Sequence, residues 1–203
     1  MVRVVFAAIT LALLLALGAG GALAGRPDSV LRFTDLPHGS VPGIPGDVRA
    51  ASRIVGRLDG HRIAAAPTRN GNYCEAFSAG NGGTGGCRVR LPLSKLKPAQ
   101  RSGYLIGAGF RAARTHGVRG LTISAVEGST LAAPGARLYI IYADQTRERM
   151  PLIWVSSPID AGFFFHAIPA EHRRPGHWPI TLELKRGSRV IALQVVKAHI
   201  LRP

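Results

Sequence analysis

From about Ser52 onward the chain is a succession of short apolar runs set between turn residues. Residues 54–58 (IVGRL) run into Asp59-Gly60, a strong hairpin signal, and residues 62–66 form a second strand closed by Pro67. Asn70-Gly71 marks another turn before residues 73–77 (YCEAF). A Gly-rich loop at 80–86 follows, and residues 87–93 return as a strand in which Arg88 and Arg90 alternate with Val89 and Leu91.

The segment 93–117 is less regular, with a short strand at 104–106 and a loop or helical turn after it. Beyond it the pattern is plain. Residues 121–126, 138–142, 150–155, 163–165, 181–184 and 190–196 read as strands, with turns at Asp144-Gln145-Thr146 and Arg186-Gly187-Ser188. Phe163 and Phe165 face one side of their strand and Phe164 the other, which predicts a central strand buried on both faces; an exposed Phe164 used for docking is the alternative. About nine or ten short antiparallel strands without strong amphipathic helices predict an all-β sandwich or barrel.

The first 51 residues depart from this pattern. One basic residue, Arg3, precedes an uncharged stretch over 4–24 that ends in Ala22-Leu23-Ala24. Basic start, apolar middle and small-residue site are the parts of a secretory signal peptide, so a signal helix over 1–24 is expected, cut between Ala24 and Gly25. An uncleaved membrane anchor is the alternative. Residues 25–51 carry Pro27, Pro37, Pro42 and Pro45 with little periodicity and read as a linker. Residues 52–203 then form one β-domain.

Export changes the meaning of Cys74 and Cys87, the only cysteines. Outside the cytoplasm such a pair is usually oxidised, here tying two neighbouring strands across a floppy Gly-rich hairpin. In the chain-entropy model a loop of this length contributes roughly 3 kcal/mol.

The order of these features carries a resemblance. A signal peptide, Leu58-Asp59-Gly60, Gly71-Asn72-Tyr73-Cys74, a Gly-rich loop ending in Cys87, then 140–144, 163–169 and 184–193 resemble a loose group of exported β-proteins common in high-GC actinobacteria. The group has no established activity, so the resemblance implies a β-fold and export but no role for any residue.

Composition narrows the chemistry. With 26 Lys+Arg against 11 Asp+Glu, the formal charge is +15, and removal of the leader takes away Arg3 alone. Such a field favours accumulation near anionic envelope polymers or lipids without conferring specificity. A specific nucleic-acid function does not suit an exported chain, whereas a protein partner remains open. Gly107-Ala108-Gly109 with Ala112 matches a dinucleotide fingerprint, and Glu127 lies at the spacing of its ribose-binding acid. Too few residues follow for a crossover helix, so a strand ending in a glycine turn is expected and no cofactor is assigned. His166, His172 and His177, with Glu171, suggest a zinc site, but Arg173-Arg174 beside them would repel a dication; solvent-exposed loop histidines without a metal are expected. No G-x-S-x-G elbow occurs, and no catalytic residue can be nominated.

These features predict an exported, non-catalytic β-domain, secreted or held at the cell envelope as an interaction or structural module. A secreted hydrolase with dispersed catalytic residues and a membrane-tethered sensor or adaptor are the alternatives. Two carboxylates in one buried cluster, or His166, His172 and His177 converging at metal-binding distance, would count decisively against the non-catalytic reading.

Overall fold

The computed structural model describes residues 29–88, 106–114, 121–131, 134–173 and 180–196. Among them thirteen strands form three sheets: β1 (Val30–Leu31), β2 (Arg53–Leu58), β3 (His61–Pro67), β4 (Tyr73–Ala79), β5 (Gly82–Arg88), β6 (Ile106–Arg114), β7 (Leu121–Thr130), β8 (Arg137–Ile141), β9 (Arg147–Met150), β10 (Ile153–Val155), β11 (Ala161–Ala167), β12 (Ile180–Arg186) and β13 (Arg189–Val196). The middle sheet has the order β1-β10-β11-β7-β6, the N-terminal sheet β2-β3-β4-β5 and the C-terminal sheet β13-β12-β8-β9. All three are open. The expectation of nine or ten antiparallel strands in a sandwich or barrel is therefore corrected in number and closure, and β1 pairs with β10 in parallel.

The middle sheet is covered on both sides because its strands β10 and β11 are apolar in both phases. Phe163 and Phe165 join Val155, Ile153 and Ala125 against Ile63, Ala65, Tyr73 and Phe77 of the N-terminal sheet. Phe164, Val126 and Trp154 face the other way, against Leu138, Ile140, Met150, Leu182 and Leu184 of the C-terminal sheet. All three phenylalanines are buried, Phe164 completely, so its use as a docking residue is overturned.

The inner strands of the N-terminal sheet, β3 and β4, are buried on both faces too. Ala64 and Ala66 of β3, with Cys74 and Ala76 of β4, point away from the middle sheet and meet Val41 and Ile44. The segment read as a linker is thus a packed covering from residue 29 onward: Phe33, Leu36, Val41 and Ile44 are all buried. Two 3-10 turns, Phe33–Asp35 and Gly46–Ala51, fold it back, and Ile54 N–H donates to Pro37 O at 3.0 Å. Small side chains on the sheet let this segment lie close.

That covering explains the largest departure from the sequence pattern. The Gly-rich run is not a floppy loop but strand β5, paired along its length with β4. A Cβ at Gly83 would stand 2.2 Å from Pro42 O, and one at Gly85 would stand 2.5 Å from Gly43 O and 2.7 Å from Glu75 O. Glycine is needed there because backbone packs directly on backbone. Cys74 lies opposite Cys87 across the β4–β5 ladder, their sulfurs 2.02 Å apart, at disulfide distance.

Three other boundaries differ. Residues 150–155, read as one strand, divide at Pro151-Leu152 into the ends of β9 and β10, which belong to different sheets. The fingerprint-like glycines lie within β6, a nine-residue strand paired with β7, where a loop or helical turn was expected. The strand read over 87–93 is described only as far as Arg88, which ends β5. The proposed signal helix, Ala22, Ala24 and Gly25, and all of segment 93–117 outside β6 lie outside the described residues.

Candidate functional site

The C-terminal sheet buries one face against the middle sheet, so strand alternation turns every other side chain outward. From β8 these are Arg137, Tyr139 and Ile141, from β9 Arg147 and Arg149, and from β12 Thr181, Glu183 and Lys185. On β13, Leu193 and Val195 alternate with buried Ala192 and are 62% and 48% exposed. Arg186 and Arg189 extend the basic character to the exposed β12–β13 turn. Glu183 is the one carboxylate of this outward set; it bonds Arg147, and Lys185 Nζ is 3.8 Å away. The Arg147 guanidinium also lies over the Tyr139 ring, 3.9 Å from its centroid. The face is cationic, with an aliphatic strip along β13.

A second constellation lies where turns from the three sheets meet. Tyr142, just past β8, donates its hydroxyl to Glu148 Oε2 at 3.0 Å. His166 Nε2 of β11 lies 2.9 Å from the same hydroxyl and 3.2 Å from the same carboxylate oxygen. His172 stacks flat on the Tyr142 ring at 3.8 Å, its Nδ1 3.4 Å from Asp144 Oδ2. Asp59, in the β2–β3 turn, accepts from Ala167 N–H at 3.0 Å, and His61 stacks on Phe165 at 3.6 Å. Burial, reinforced by the Glu148 carboxylate, raises the Tyr142 hydroxyl above its ordinary range. Burial also lowers His166, although Glu148 and Asp59 pull the other way. The network therefore holds a protonated phenol against an imidazole that resists charging.

The expected loop histidines are thus placed differently. His166 and His172 meet at Tyr142, one at its hydroxyl and one on its ring, and their side chains are only 14% and 11% exposed. Their carboxylate partners are Glu148 and Asp144 rather than Glu171. His177 lies outside the described residues. Among the described residues, no group of three or more His, Cys, Asp or Glu side chains is placed to hold a metal ion.

The third constellation is buried between the N-terminal and middle sheets. Glu75 stands between Tyr73 and Phe77 on the inward face of β4, and Glu127 and Ser129 occupy the facing phase of β7. Tyr73 Oη and Ser129 Oγ are 2.6 Å apart, Thr84 donates to Glu127 Oε1, and Arg88 Nε donates to Glu75 Oε1 at 2.8 Å. Glu75 is 2% exposed and Glu127 6%. Glu75 Oε2 has no hydrogen-bond partner. Burial raises the Glu75 carboxyl above its ordinary value, with the Glu127 charge adding to it; Arg88 and the nearby Ser129 hydroxyl act in the opposite direction. This is the buried carboxylate pair that weighs against a non-catalytic reading. Against that weight, a carboxylate that acts on substrate must touch it, and both are closed off between sheets.

The seam makes a pH-dependent prediction. A carboxyl raised on folding stabilises fully below its ordinary value of 4.5 and loses that contribution as pH rises through its higher folded value. Glu75→Gln removes this titration. Urea midpoints should move in favour of the variant as pH rises from 4 to 8, by about 1 kcal/mol, the scale for one poorly satisfied buried polar group. A difference between variant and wild type that stays constant with pH would show that Glu75 is not desolvated as described.

Sequence reasoning missed Glu75, Tyr142 and Glu148 as parts of clusters. Glu75 did leave a trace, since Tyr73, Glu75 and Phe77 share one strand phase and a carboxylate in an apolar phase is a buried charge. Glu127 was noticed only as a ribose-binding candidate, whereas it bonds Thr84. No family model matches the chain, and no curated protein or solved structure matches it.

Proposed function

We propose that this chain is an exported, non-catalytic β-domain that works at the cell envelope as an interaction module. The observation that supports it most directly is the outward face of the C-terminal sheet, where Arg137, Arg147, Arg149 and Lys185 share a pleated surface with Leu193 and Val195. A rigid layered body with one cationic, partly aliphatic face suits surface attachment. The leader ending at Ala22-Leu23-Ala24 supports export, and the Cys74–Cys87 pair at disulfide distance suits an oxidising compartment.

Two measurements test this reading. N-terminal sequencing of the exported form should begin at Gly25; retention of residues 1–24 would convert the protein into a tethered one. Envelope fractions should retain the protein at about 0.15 M salt and release part of it at 1 M, where the screening length falls to about 3 Å. A protein found wholly in the cytosol, or wholly free in the medium at low salt, would overturn the proposal.

The buried Glu75–Glu127 seam and the Tyr142–His166–Glu148 network favour a second reading, a secreted hydrolase. A broad hydrolase screen of the exported protein, with and without zinc, separates the two. Turnover abolished by Glu127→Gln or His166→Ala, with folding intact, would establish catalysis.

A further inference from the structure

We propose that the outer face of the C-terminal sheet docks on the surface of an anionic phospholipid bilayer. This rests on the interaction-module reading and names its partner. Net charge alone would suit any polyanion, because a long-range field has no chemical preference. The arrangement on this face is more selective.

Val30, Val190, Leu193 and Val195 are the large hydrophobic residues left exposed among the described residues, and three of the four lie on β13. Val190 is 39% exposed, Leu193 62% and Val195 48%. A soluble polyphosphate or wall polymer gains nothing from aliphatic side chains in water, whereas a bilayer offers an apolar layer just below its charged headgroups. The surrounding cations match that layering. Arg137, Arg147, Arg149 and Lys185 project from the same sheet face, and Arg186 and Arg189 flank the turn that starts β13. Lys185 on β12 lies next to the β13 strip, while Arg137 on β8 and Arg147 and Arg149 on β9 lie toward the opposite edge of the same face, so they can meet phosphates while the β13 edge enters the interface. Arg side chains bind phosphate in a forked geometry and bury their stems against apolar surface.

Tyr139 adds an amphipathic ring at the same level, with Arg147 over it. Glu183 bonds Arg147 and so sets little negative charge against the bilayer. Among the described residues, β10 and β11 of the middle sheet and β3 and β4 of the N-terminal sheet contribute core residues on both faces.

The test uses protein purified from the exported fraction and sedimented with vesicles. One set is zwitterionic phosphatidylcholine and the other contains phosphatidylglycerol as about one third of its lipid. Partitioning onto the anionic set should exceed that onto the zwitterionic set by at least tenfold. Arg137→Gln with Arg149→Gln should lower it about tenfold. Leu193→Ser with Val195→Ser should also lower it several-fold and make the remainder fully salt-sensitive, because only charge is then left. Urea midpoints of both double variants should match wild type, which separates lost docking from lost folding; Lys185→Gln serves as a milder charge variant if the arginine pair unfolds.

Equal binding to the two vesicle sets would overturn the proposal, as would a Leu193/Val195 variant that binds like wild type. Binding to soluble polyphosphate as tight as to anionic vesicles, unaffected by the serine variant, would reassign the face to a polymer. Concentration-dependent dimerisation abolished by the serine variant, without vesicle binding, would reassign it to a second copy. In either case envelope association at low salt would persist, so the lipid assignment falls while the interaction module stands. Loss of envelope association itself would remove both.

Discussion

Phe164→Ala should cost about 3–5 kcal/mol of stability, the usual range for truncating a large aromatic in a well-packed core. The residue stands at the middle of β11, itself the middle strand of the middle sheet, and is fully buried. Trp154 and Val126 flank it on its own sheet, and Leu138, Ile140 and Leu182 face it from the C-terminal sheet. The truncation therefore leaves a void between two sheets rather than a dent at the surface. Domains of ordinary stability hold only about 5–15 kcal/mol in total, so the variant should melt far lower or fail to accumulate. Leu193→Ala on the outer face is the matched comparison, expected within about 0.5 kcal/mol of wild type. Urea midpoints for the two variants decide the matter. A loss below about 1 kcal/mol for Phe164→Ala would mean that the C-terminal sheet does not cover the middle one as described.

The neighbouring glycines of β5 should behave oppositely. Gly85→Ala drives a methyl between two backbone carbonyls, 2.5 Å from Gly43 O on one side and 2.7 Å from Glu75 O on the other, with the Ala76 Cβ at 2.9 Å. Neither carbonyl is the free end of a side chain. Relief requires lifting the 41–44 segment off the sheet, which exposes Val41 and Ile44. A loss of about 3 kcal/mol is expected, at the upper end of ordinary overpacking. Gly86→Ala, one residue on, has no atom within 4 Å of the new methyl. It should be neutral or stabilising by about 0.5 kcal/mol, since alanine restricts the unfolded chain. Limited proteolysis sharpens the comparison: Gly85→Ala should open the chain near residues 41–51, while Gly86→Ala should not. If both substitutions proved equally harmless, β5 would be the loose hairpin that its composition suggests.

Several elements were legible because their information is local. Asp59-Gly60 turns the chain between β2 and β3, with positive φ at both residues, as its composition predicts. The alternation of Phe163, Phe164 and Phe165 foretold burial on two sides, and Cys74 and Cys87 do face each other on adjacent strands. Pro151 was equally visible, yet its effect was underestimated: it separates β9 from β10, and only the third dimension assigns them to different sheets.

The candidate sites were far less legible. Tyr142 reaches His166 across 24 residues, Thr84 reaches Glu127 across 43, and Tyr73 reaches Ser129 across 56. Strand pairing in all-β folds leaves such partners undetermined, because many registers satisfy the same alternation. The basic face shows the same limit. Its cations were counted in the sequence, but their collection on one pleated surface depends on which side of β8, β9 and β12 meets the middle sheet.

The amino-acid order by itself determined the strand-rich class, the main turns, the two-sided apolar strand at its centre and the excess of positive charge, because each follows from neighbours within a few residues. Tertiary structure alone decided that a glycine run becomes a strand, that a proline-rich segment becomes a cover, and which polar groups meet. Those outcomes depend on close approach between distant segments, where space and desolvation outweigh local preference.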